Sequence, residues 1–386
     1  MTALLGPTGA FIALFAVAIL IAVVAERVRI PAAVALIAVG TPFHPTLPFA
    51  FGDALFVVFL PPLVFEAAWN LDAALLRRVG LRVALLAGPG TIATALIVAG
   101  ILSACGLLPF SSALLFGAIV AATDPVAVVA AFRSVTAPAA LRTLVEAESL
   151  ANDGVALVLF GFALAIAQGV ASSLGVDVLI GIGEVVGGTA IGIAAGYICA
   201  FALRATRTLE GEVTITIAFA YAAYLGASAL HCSGIFATAA GAVVLRLALE
   251  RRPKMLSNAE SVDRVWGVAA FIANAIVFFA TGLLIQPERM VHEPLLVIVA
   301  VLAVLVSRVP LVLCAVSAGR DRLTVFLAGM RGALPLALAL SLPASLPFRA
   351  QIIDATFVIV FVTIVGQGLP LAPLLRRMYG SGEERA

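Results

Sequence analysis

The sequence predicts an all-α polytopic membrane protein, and two observations support this fold class. Hydrophobic residues make up 63% of the 386 residues and charged residues only 11%, whereas soluble domains average about half apolar and about a quarter charged. Apolar runs of about 20 residues, the length that an α-helix needs to cross the hydrocarbon core of a bilayer, recur along the whole chain. The lipid bilayer is therefore the expected surroundings of this protein.

Thirteen apolar spans are predicted, and the second of them is short. We expect them to form a single integral membrane unit over 1–386. In chain order the predicted spans are 8–26, 30–43, 53–70, 80–106, 111–132, 146–170, 176–204, 212–229, 233–250, 264–286, 294–318, 322–343 and 350–375.

The basic residues indicate how these spans are oriented. With the N-terminus outside, all but three of the 23 Lys and Arg residues fall at the cytoplasmic ends of spans, and the exceptions are Arg289, Arg331 and Arg349. This asymmetry follows the positive-inside rule, and one missed or extra span in the middle of the chain would destroy it. We therefore predict a multi-pass protein of the inner or plasma membrane, with its C-terminus in the cytoplasm.

Two of the spans contain a proline near their centre. Pro125 lies in the fifth span, in AIVAATDPVAVVA, and Pro335 lies in the twelfth, in AGMRGALPLALAL. A proline inside a helix removes one amide and clashes with the carbonyl four residues earlier, so both helices should be interrupted. When the first six spans are shifted along the chain by the distance between these prolines, they coincide with spans eight to thirteen. The matching spans cross the membrane in opposite directions.

This arrangement is typical of inverted-repeat secondary transporters, in which discontinuous helices meet near the membrane midplane. We predict two six-helix repeats, over about 8–170 and 212–376, joined by a linking helix at 176–204. The sequence contains no nucleotide-binding loop, zinc-ligand spacing or nucleophile–base motif. We therefore expect a transporter rather than an enzyme, with no cofactor and no nucleic-acid partner.

Charged side chains at membrane depth are costly, by a few kcal/mol on insertion scales. The chain nevertheless places four acids near this depth, and only one clear cation, Arg331, lies at a similar depth. The four acids are Glu66, Asp124, Glu148 and Asp153. Only one acid can pair with Arg331, so the others are expected to bind a cation or a proton.

The stretch ESLANDGVAL places polar groups on one side of the sixth span. Glu148 and Asn152 are four residues apart and share a helix face, and Ser149 and Asp153 form the neighbouring stripe. Hard cations prefer oxygen ligands. The candidate oxygen ligands are Asp153, Asp124, Glu66, Ser149 and the backbone carbonyls released around Thr123.

Structural roles are the alternative for several of these residues. Ser149 alone would more often bond to its own helix backbone, and Asn152 alone would more often bridge two helices. Glu148 is open to interpretation as a plain ion pair with Arg331. Arg308 lies deep in the eleventh span, and we expect it either to reach the inner face or to pair with an acid.

Four segments resemble the signature segments of one family of membrane proteins. They are LPPLVFEAA, ATDPVAV, ESLANDGVALVLF and GMRGALPLALALSLP, and they occur in order and at similar spacing. By these segments the chain resembles the monovalent cation:proton antiporters of the NhaP type, the group that includes the animal sodium/proton exchangers. The resemblance implies exchange of Na⁺ or Li⁺ for H⁺ and a part in pH homeostasis, and the sequence leaves K⁺ open as the cation.

The resemblance also implies roles for individual residues. Asp153 would be the main carrier of the cation and the proton. The further ligands of the cation would be Asp124, Ser149, Glu66 and the carbonyl of Thr123. The supporting residues would be Asn152, which orders the site, and Glu148 and Arg331, which pair with each other. Two positions depart from the pattern, because Ala151 and Gly154 stand where bulkier residues often occur.

For the whole molecule, the resemblance implies a homodimer whose core carries the ion site by an elevator-like motion. The core helices would be those at about 80–170 and 294–375, and the remaining helices would form the dimer. Exchange would be electroneutral, one ion for one proton, because Asn152 cannot carry a second proton and the Asn–Asp pair resembles the electroneutral branch.

Two other functions remain as rivals. A sodium-coupled organic anion symporter would need polar groups around a larger cavity, whereas these polar residues cluster tightly. A channel would need an open path, whereas two broken helices and one carboxylate cluster favour an occluded site.

Overall fold

The structure is a computed structural model whose regular elements are helices. It describes residues 15–25, 27, 32–41, 52–124, 128, 132, 135, 137–169, 174–251, 259–284, 293–317 and 319–380. Pro125, on which the predicted interruption of the fifth span depends, lies outside the described residues.

The helices follow the predicted spans closely, with differences at their ends. In chain order they are α1 (Phe15–Ala25), α2 (Ala32–Gly40), α3 (Gly52–Trp69), α4 (Ala73–Leu85), α5 (Thr91–Ala104), α6 (Phe110–Ala121), α7 (Ala139–Gln168), α8 (Leu174–Ala202), α9 (Leu209–Ala229), α10 (Gly234–Arg251), α11 (Ala259–Leu284), α12 (Pro294–Ala315), α13 (Gly319–Leu327), α14 (Ala333–Leu340), α15 (Arg349–Thr363) and α16 (Leu369–Tyr379). Short π-helical turns join α4 to α5, at Leu86–Gly90, and α15 to α16, at Ile364–Gly368.

Within the described residues, seven helices are long and apolar enough to cross a membrane: Ala74–Ala104, Ala139–Gln168, Leu179–Ala205, Leu209–Ala229, Ala259–Ala280, Pro294–Ala315 and Arg349–Tyr379. Three shorter apolar helices accompany them, at Phe15–Ala25, Val57–Trp69 and Phe110–Ala121. Large apolar side chains such as Leu81 and Phe201 are more than two-thirds exposed on the outer surface. Such a surface suits lipid rather than water.

The sixth span is longer than predicted. The sequence places its start at 146, whereas α7 begins at Ala139, directly after Pro138. Proline is favoured at a helix start because the first amides have no intrahelical partner. Arg142 and Glu146 then form an ion pair of 2.8 Å within the first turns, so the helix extends through charged residues that hydropathy alone would exclude.

The helices pack as two groups. The first helix group comprises α1–α3 and α8–α11, and its strongest contact is between α8 and α10. A row of glycines allows this contact. A Cβ at Gly192 or Gly196 would collide with the backbone of α10, and one at Gly188 would collide with the backbone of Ser233 directly before α10, so the two helices lie backbone to backbone. The second helix group comprises α4–α7 and α12–α16 and contains the charged residues considered next.

The predicted interruption in the twelfth span is present. Helix α13 ends at Leu327 and α14 begins at Ala333, so residues 328–332 are not helical. Pro335 falls in the first turn of α14, where a missing amide costs no hydrogen bond. In the fifth span, α6 ends at Ala121 and the chain is extended at Ala122, with φ −61° and ψ 142°.

Candidate functional site

The two non-helical stretches meet in the middle of the second helix group. The backbone amide of Asp124 donates to the carbonyl of Met330 across 2.8 Å. The side chain of Asp124 fills the space where a Cβ of Gly332 would stand. Glycine at position 332 therefore permits this close approach, and the crossing places Asp124 beside the stretch that contains Arg331.

Helix α7 supplies a polar network to this crossing. The amide oxygen of Asn152 accepts from the backbone N–H of Thr123 at 3.3 Å, and its amide nitrogen donates to the Thr123 hydroxyl at 2.6 Å. The hydroxyls of Thr123 and Ser149 lie 3.0 Å apart. All three side chains are buried. These side-chain hydrogen bonds therefore hold the end of α6 against α7. They replace hydrogen bonds that the backbone would make within a continuous helix.

Asp153 lies next to this network, one residue after Asn152. Its Oδ1 atom is buried and has no hydrogen-bond partner. Asp124 and Glu148 are the charged groups that act most strongly on it, and both are negative. A buried carboxylate oxygen without a donor is costly. The carboxylate of Asp153 is therefore suited to bind a proton or a cation.

Glu148 forms a buried, two-pronged ion pair with Arg308. Nη1 of Arg308 donates to Oε1 of Glu148 at 3.2 Å, and Nη2 donates to Oε2 at 3.0 Å. Nε and Nη2 of Arg308 also donate to the carbonyl of Val325, at 3.2 and 3.0 Å. Asn152 donates a further hydrogen bond of 3.1 Å to Glu148. The Glu148 carboxylate is thus compensated by both charge and hydrogen bonds.

The expected pairing of Glu148 with Arg331 is wrong. Arg331 is fully buried, but its Nη1 donates to the carbonyl of Gly329 at 2.8 Å and its Nε has no partner. Gly329 explains the difference, because the guanidinium of Arg308 occupies the space that a side chain at 329 would need. Arg308 therefore reaches Glu148 across Gly329, and Arg331 turns back toward the same segment.

Arg331 is held in this position through its backbone. Its amide donates to the hydroxyl of Thr363 at 3.1 Å, and that hydroxyl donates to the carbonyl of Ile359 at 2.8 Å. Arg308 and Glu148 both act electrostatically on the Arg331 guanidinium. Arg331 is thus part of the charged cluster without being in an ion pair with Glu148.

Glu66 approaches from the other helix group. It lies in the last turn of α3, half-buried, and accepts a hydrogen bond of 2.7 Å from the exposed side chain of Asn70. The structure therefore brings together every predicted site residue on the second helix group and leaves Glu66 at the end of a helix of the first.

Sequence reasoning assigned Arg308 no specific partner and overlooked Thr363. The depth of Arg308 within its span was the available signal, and of the two outcomes considered for it, pairing with an acid is the one observed. Thr363 had no signal, because a threonine on an apolar helix commonly bonds to its own backbone, as it also does here.

The arrangement is suited to a small, hard cation. The carboxylates of Asp124 and Asp153 act on each other electrostatically, and the hydroxyls of Thr123 and Ser149, each on a neighbouring position of the chain or helix, lie 3.0 Å apart. Such oxygens are the preferred ligands of hard cations. Among the described residues, no group of three or more His, Cys, Asp or Glu side chains is placed to hold a metal ion.

The family profile described as "Sodium/hydrogen exchanger, transmembrane" matches residues 12–377. The chain belongs to this family. Its members are secondary transporters rather than enzymes, and the chain is a multi-pass membrane protein.

Similar proteins cover most of the chain. The Na(+)/H(+) antiporter NhaS2 of Synechocystis sp. is 32% identical over 378 residues, which are 95% of this chain and 70% of that protein. The Na(+)/H(+) antiporter NhaP of Pseudomonas aeruginosa is 32% identical over 352 residues, which are 85% of this chain and 82% of that protein.

A solved structure shows the same fold. The sodium proton antiporter MjNhaP1 from Methanocaldococcus jannaschii, at pH 8, superimposes with a TM-score of 0.80 at 22% sequence identity. The match covers 95% of this chain and 99% of that one. The all-helical fold of the chain is therefore the fold of that antiporter.

The ion pair predicts a specific energetic coupling. Glu148→Ala and Arg308→Ala should each lower the free energy of unfolding by about 3–5 kcal/mol, because each leaves the opposite charge buried and unpaired. The double variant should lose less than the sum of the two single losses. Thermal unfolding of the purified variants in detergent measures the coupling in a double-mutant cycle.

The matched control is the cycle of Glu148 with Arg331. It should show a much smaller coupling, because those two side chains do not form an ion pair. Equal coupling in both cycles, or strict additivity for Glu148 with Arg308, would contradict the observed pairing.

Proposed function

We propose that this protein exchanges Na⁺ or Li⁺ for H⁺ across the membrane at Asp153, with K⁺ as the alternative cation. The observation that carries the proposal is the buried, unpartnered Oδ1 of Asp153 beside the crossing of the two non-helical stretches. Family membership and the antiporters to which the chain is similar support the same exchange.

The carboxylate of Asp153 accounts for exchange because it binds one species at a time. Burial away from water, and then repulsion from Asp124 and Glu148, disfavours its empty, charged form. Either a proton or a cation removes that cost, and the two compete for the same oxygens. Asp124, Ser149 and the carbonyl of Thr123 would be the other ligands, with Asn152 ordering the end of α6.

Glu66 is the predicted ligand that comes from the first helix group. It lies on α3, in the first helix group, and is hydrogen-bonded to Asn70. We propose it as a further ligand of the cation. Glu148, Arg308 and Arg331 would be supporting residues.

In the proposed topology the protein has thirteen membrane spans in two inverted repeats. Its N-terminus lies outside the cell and its C-terminus lies in the cytoplasm. The second helix group would be the mobile core, and the first would form the homodimer in the bilayer and stay fixed. Sparse packing between the groups, compared with the packing inside each, supports an elevator-like motion of the core. No cofactor is required.

The charges of the cluster support a proposed exchange without net charge movement. The described cluster contains three carboxylates, of Asp124, Glu148 and Asp153, and two guanidinium groups, of Arg308 and Arg331. With all five ionised, one negative charge remains. One proton or one monovalent cation neutralises it, so the core would cross the membrane neutral in both loaded states and charged when empty.

The rival functions predict other fluxes. A sodium-coupled organic anion symporter would move no protons against sodium, and a channel would conduct without a counter-ion. Cation-driven proton movement in proteoliposomes, measured with Na⁺, Li⁺ and K⁺ in turn, distinguishes all three and identifies the cation.

Asp153→Asn should abolish exchange in a folded protein, because the amide keeps the volume and removes the titrating charge. The measurement is sodium-dependent proton flux in proteoliposomes. Asp72→Asn is the matched control: Asp72 is exposed and caps α4 through its side chain, and asparagine caps equally well. Sodium-dependent proton flux at the wild-type rate from folded Asp153→Asn would refute the role of Asp153.

Exchange should be independent of voltage. A potassium diffusion potential set with valinomycin should not determine the direction of sodium–proton exchange, since each loaded core is neutral. The test follows sodium and proton movement at several imposed potentials. A sodium gradient that an imposed voltage can hold at balance would show that net charge moves.

Protons should act as competitive inhibitors of the cation. Since both bind Asp153, the apparent dissociation constant of the cation is multiplied by one plus the proton concentration divided by the acid constant of the site. On the acidic side of the titration, this dissociation constant should rise roughly tenfold for each unit by which the pH falls, by ordinary mass action. The maximal rate at saturating cation should change much less.

The measurement is a cation titration of exchange at several pH values, with equal pH on both sides of the membrane. A constant apparent affinity combined with a collapsing maximal rate would exclude competition at a shared carboxylate. It would place a separate pH switch elsewhere in the protein.

A further inference from the structure

Gly154 follows Asp153 directly on α7, and an aromatic ring from the first helix group packs against it. A Cβ at position 154 would lie 2.7 Å from Cδ2 of Phe236, 3.0 Å from its Cζ and closer still to its Cε2. Real Cβ atoms do not approach other atoms so closely. The ring therefore lies against the bare backbone of α7, one residue from the carboxylate that carries the ion.

Phe236 is anchored in the first helix group. It lies in the first turn of α10, and its amide donates to the hydroxyl of Ser233 at 3.4 Å. The amide of Ser233 in turn donates to the carbonyl of Glu184 on α8 at 3.0 Å. The glycine row of α8 holds α10 in close contact. The ring is thus attached to the helices proposed to stay fixed.

The contact between the ring and Gly154 joins two helices that otherwise touch little. Helix α10 packs mainly on α8, α3 and α9, whereas α7 packs mainly on α6 and α4. A flat aromatic ring on a glycine backbone leaves no space for water between them. It also puts no side chain of α7 in the way of sliding.

We propose that Phe236 is a barrier residue. Its ring packs on Gly154 and blocks access to Asp153 from the side of the membrane on which the N-terminal end of α10 lies. The inference rests on the proposed exchange function. In the proposed topology this end of α10 faces the outside. Exchange requires that Asp153 is reached from one side at a time, and the ring supplies that closure in this conformation.

The first test removes the ring. Phe236→Ala leaves a gap beside Asp153 wide enough for water, so the site becomes reachable from both sides. Sodium flux without proton counter-flow, driven by an imposed voltage in proteoliposomes, should rise roughly tenfold over the wild type, a modest change in barrier. Phe236→Leu keeps an apolar side chain there and should retain coupled exchange.

The matched control is Phe110→Ala, which removes an exposed ring from α6, outside the proposed dimer-forming helices, and should behave as the wild type. Strictly coupled, voltage-independent flux from Phe236→Ala would overturn the proposal. A sodium-induced rise in melting temperature for each variant shows whether the protein is folded with an intact cation site.

The second test adds a methyl group at Gly154, where the ring packs. It tests the proposal even if Phe236→Ala does not fold. Gly154→Ala places a methyl group against the ring and should slow turnover about tenfold, because this conformation becomes overpacked. Gly161→Ala is the control on the same helix, where a Cβ meets nothing within 4 Å. Combining Gly154→Ala with the smaller side chain of Phe236→Leu should restore most of the lost rate.

An unchanged turnover of Gly154→Ala, or the same slowing with leucine at 236 as with phenylalanine, would show that the contact does not limit the motion. Failure of this inference is distinct from failure of the proposed function. If the wild type exchanges sodium for protons and these variants remain coupled and fast, only the barrier is refuted. If the wild type does not exchange, the proposed function itself fails.

Discussion

The charge of Glu148, buried in the middle of the molecule, is the constraint on which the site depends. An ionised carboxylate in a medium of low dielectric needs an opposite charge and hydrogen bonds. Arg308 supplies both, and the amide nitrogen of Asn152 adds one more bond. Orienting Asn152 in this way points its oxygen at the amide of Thr123. The end of α6 is thereby fixed, and Oδ1 of Asp153 is left without a hydrogen-bond partner.

The two non-helical stretches make this cluster possible. Regular helices keep their backbones apart and use their own amides, whereas here the amide of Asp124 reaches the carbonyl of Met330. Gly329 and Gly332 leave the space that the side chains of Arg308 and Asp124 fill. Polar backbone at membrane depth is tolerated only where protein surrounds it or a cavity is lined by it. Broken helices, missing side chains and buried charges therefore form one structural unit.

The two helix groups differ in what they contribute. Glycines bind α8 to α10 backbone to backbone, which suits a rigid support. The second group concentrates charge and irregular backbone, which suits the binding of an ion. Gly154 and Phe236 lie where the groups touch, one residue along the chain from Asp153, so under the proposed function this one contact would bear on both access to the ion and movement of the core.

The sequence by itself determined the surroundings, the approximate positions of the described helices and the family, and it picked out the acids proposed for the site. These follow from local features: apolar runs of membrane length, prolines within spans, and the spacing of Glu148, Ser149, Asn152 and Asp153 along one helix. Only the tertiary structure decided that Glu148 pairs with Arg308, 160 residues away. Both arginines have the right charge and a similar depth, and the choice depends on which of them has a path to Glu148. That path exists because Gly329 has no side chain, which becomes visible only when α7, α12 and the 328–332 stretch are packed together.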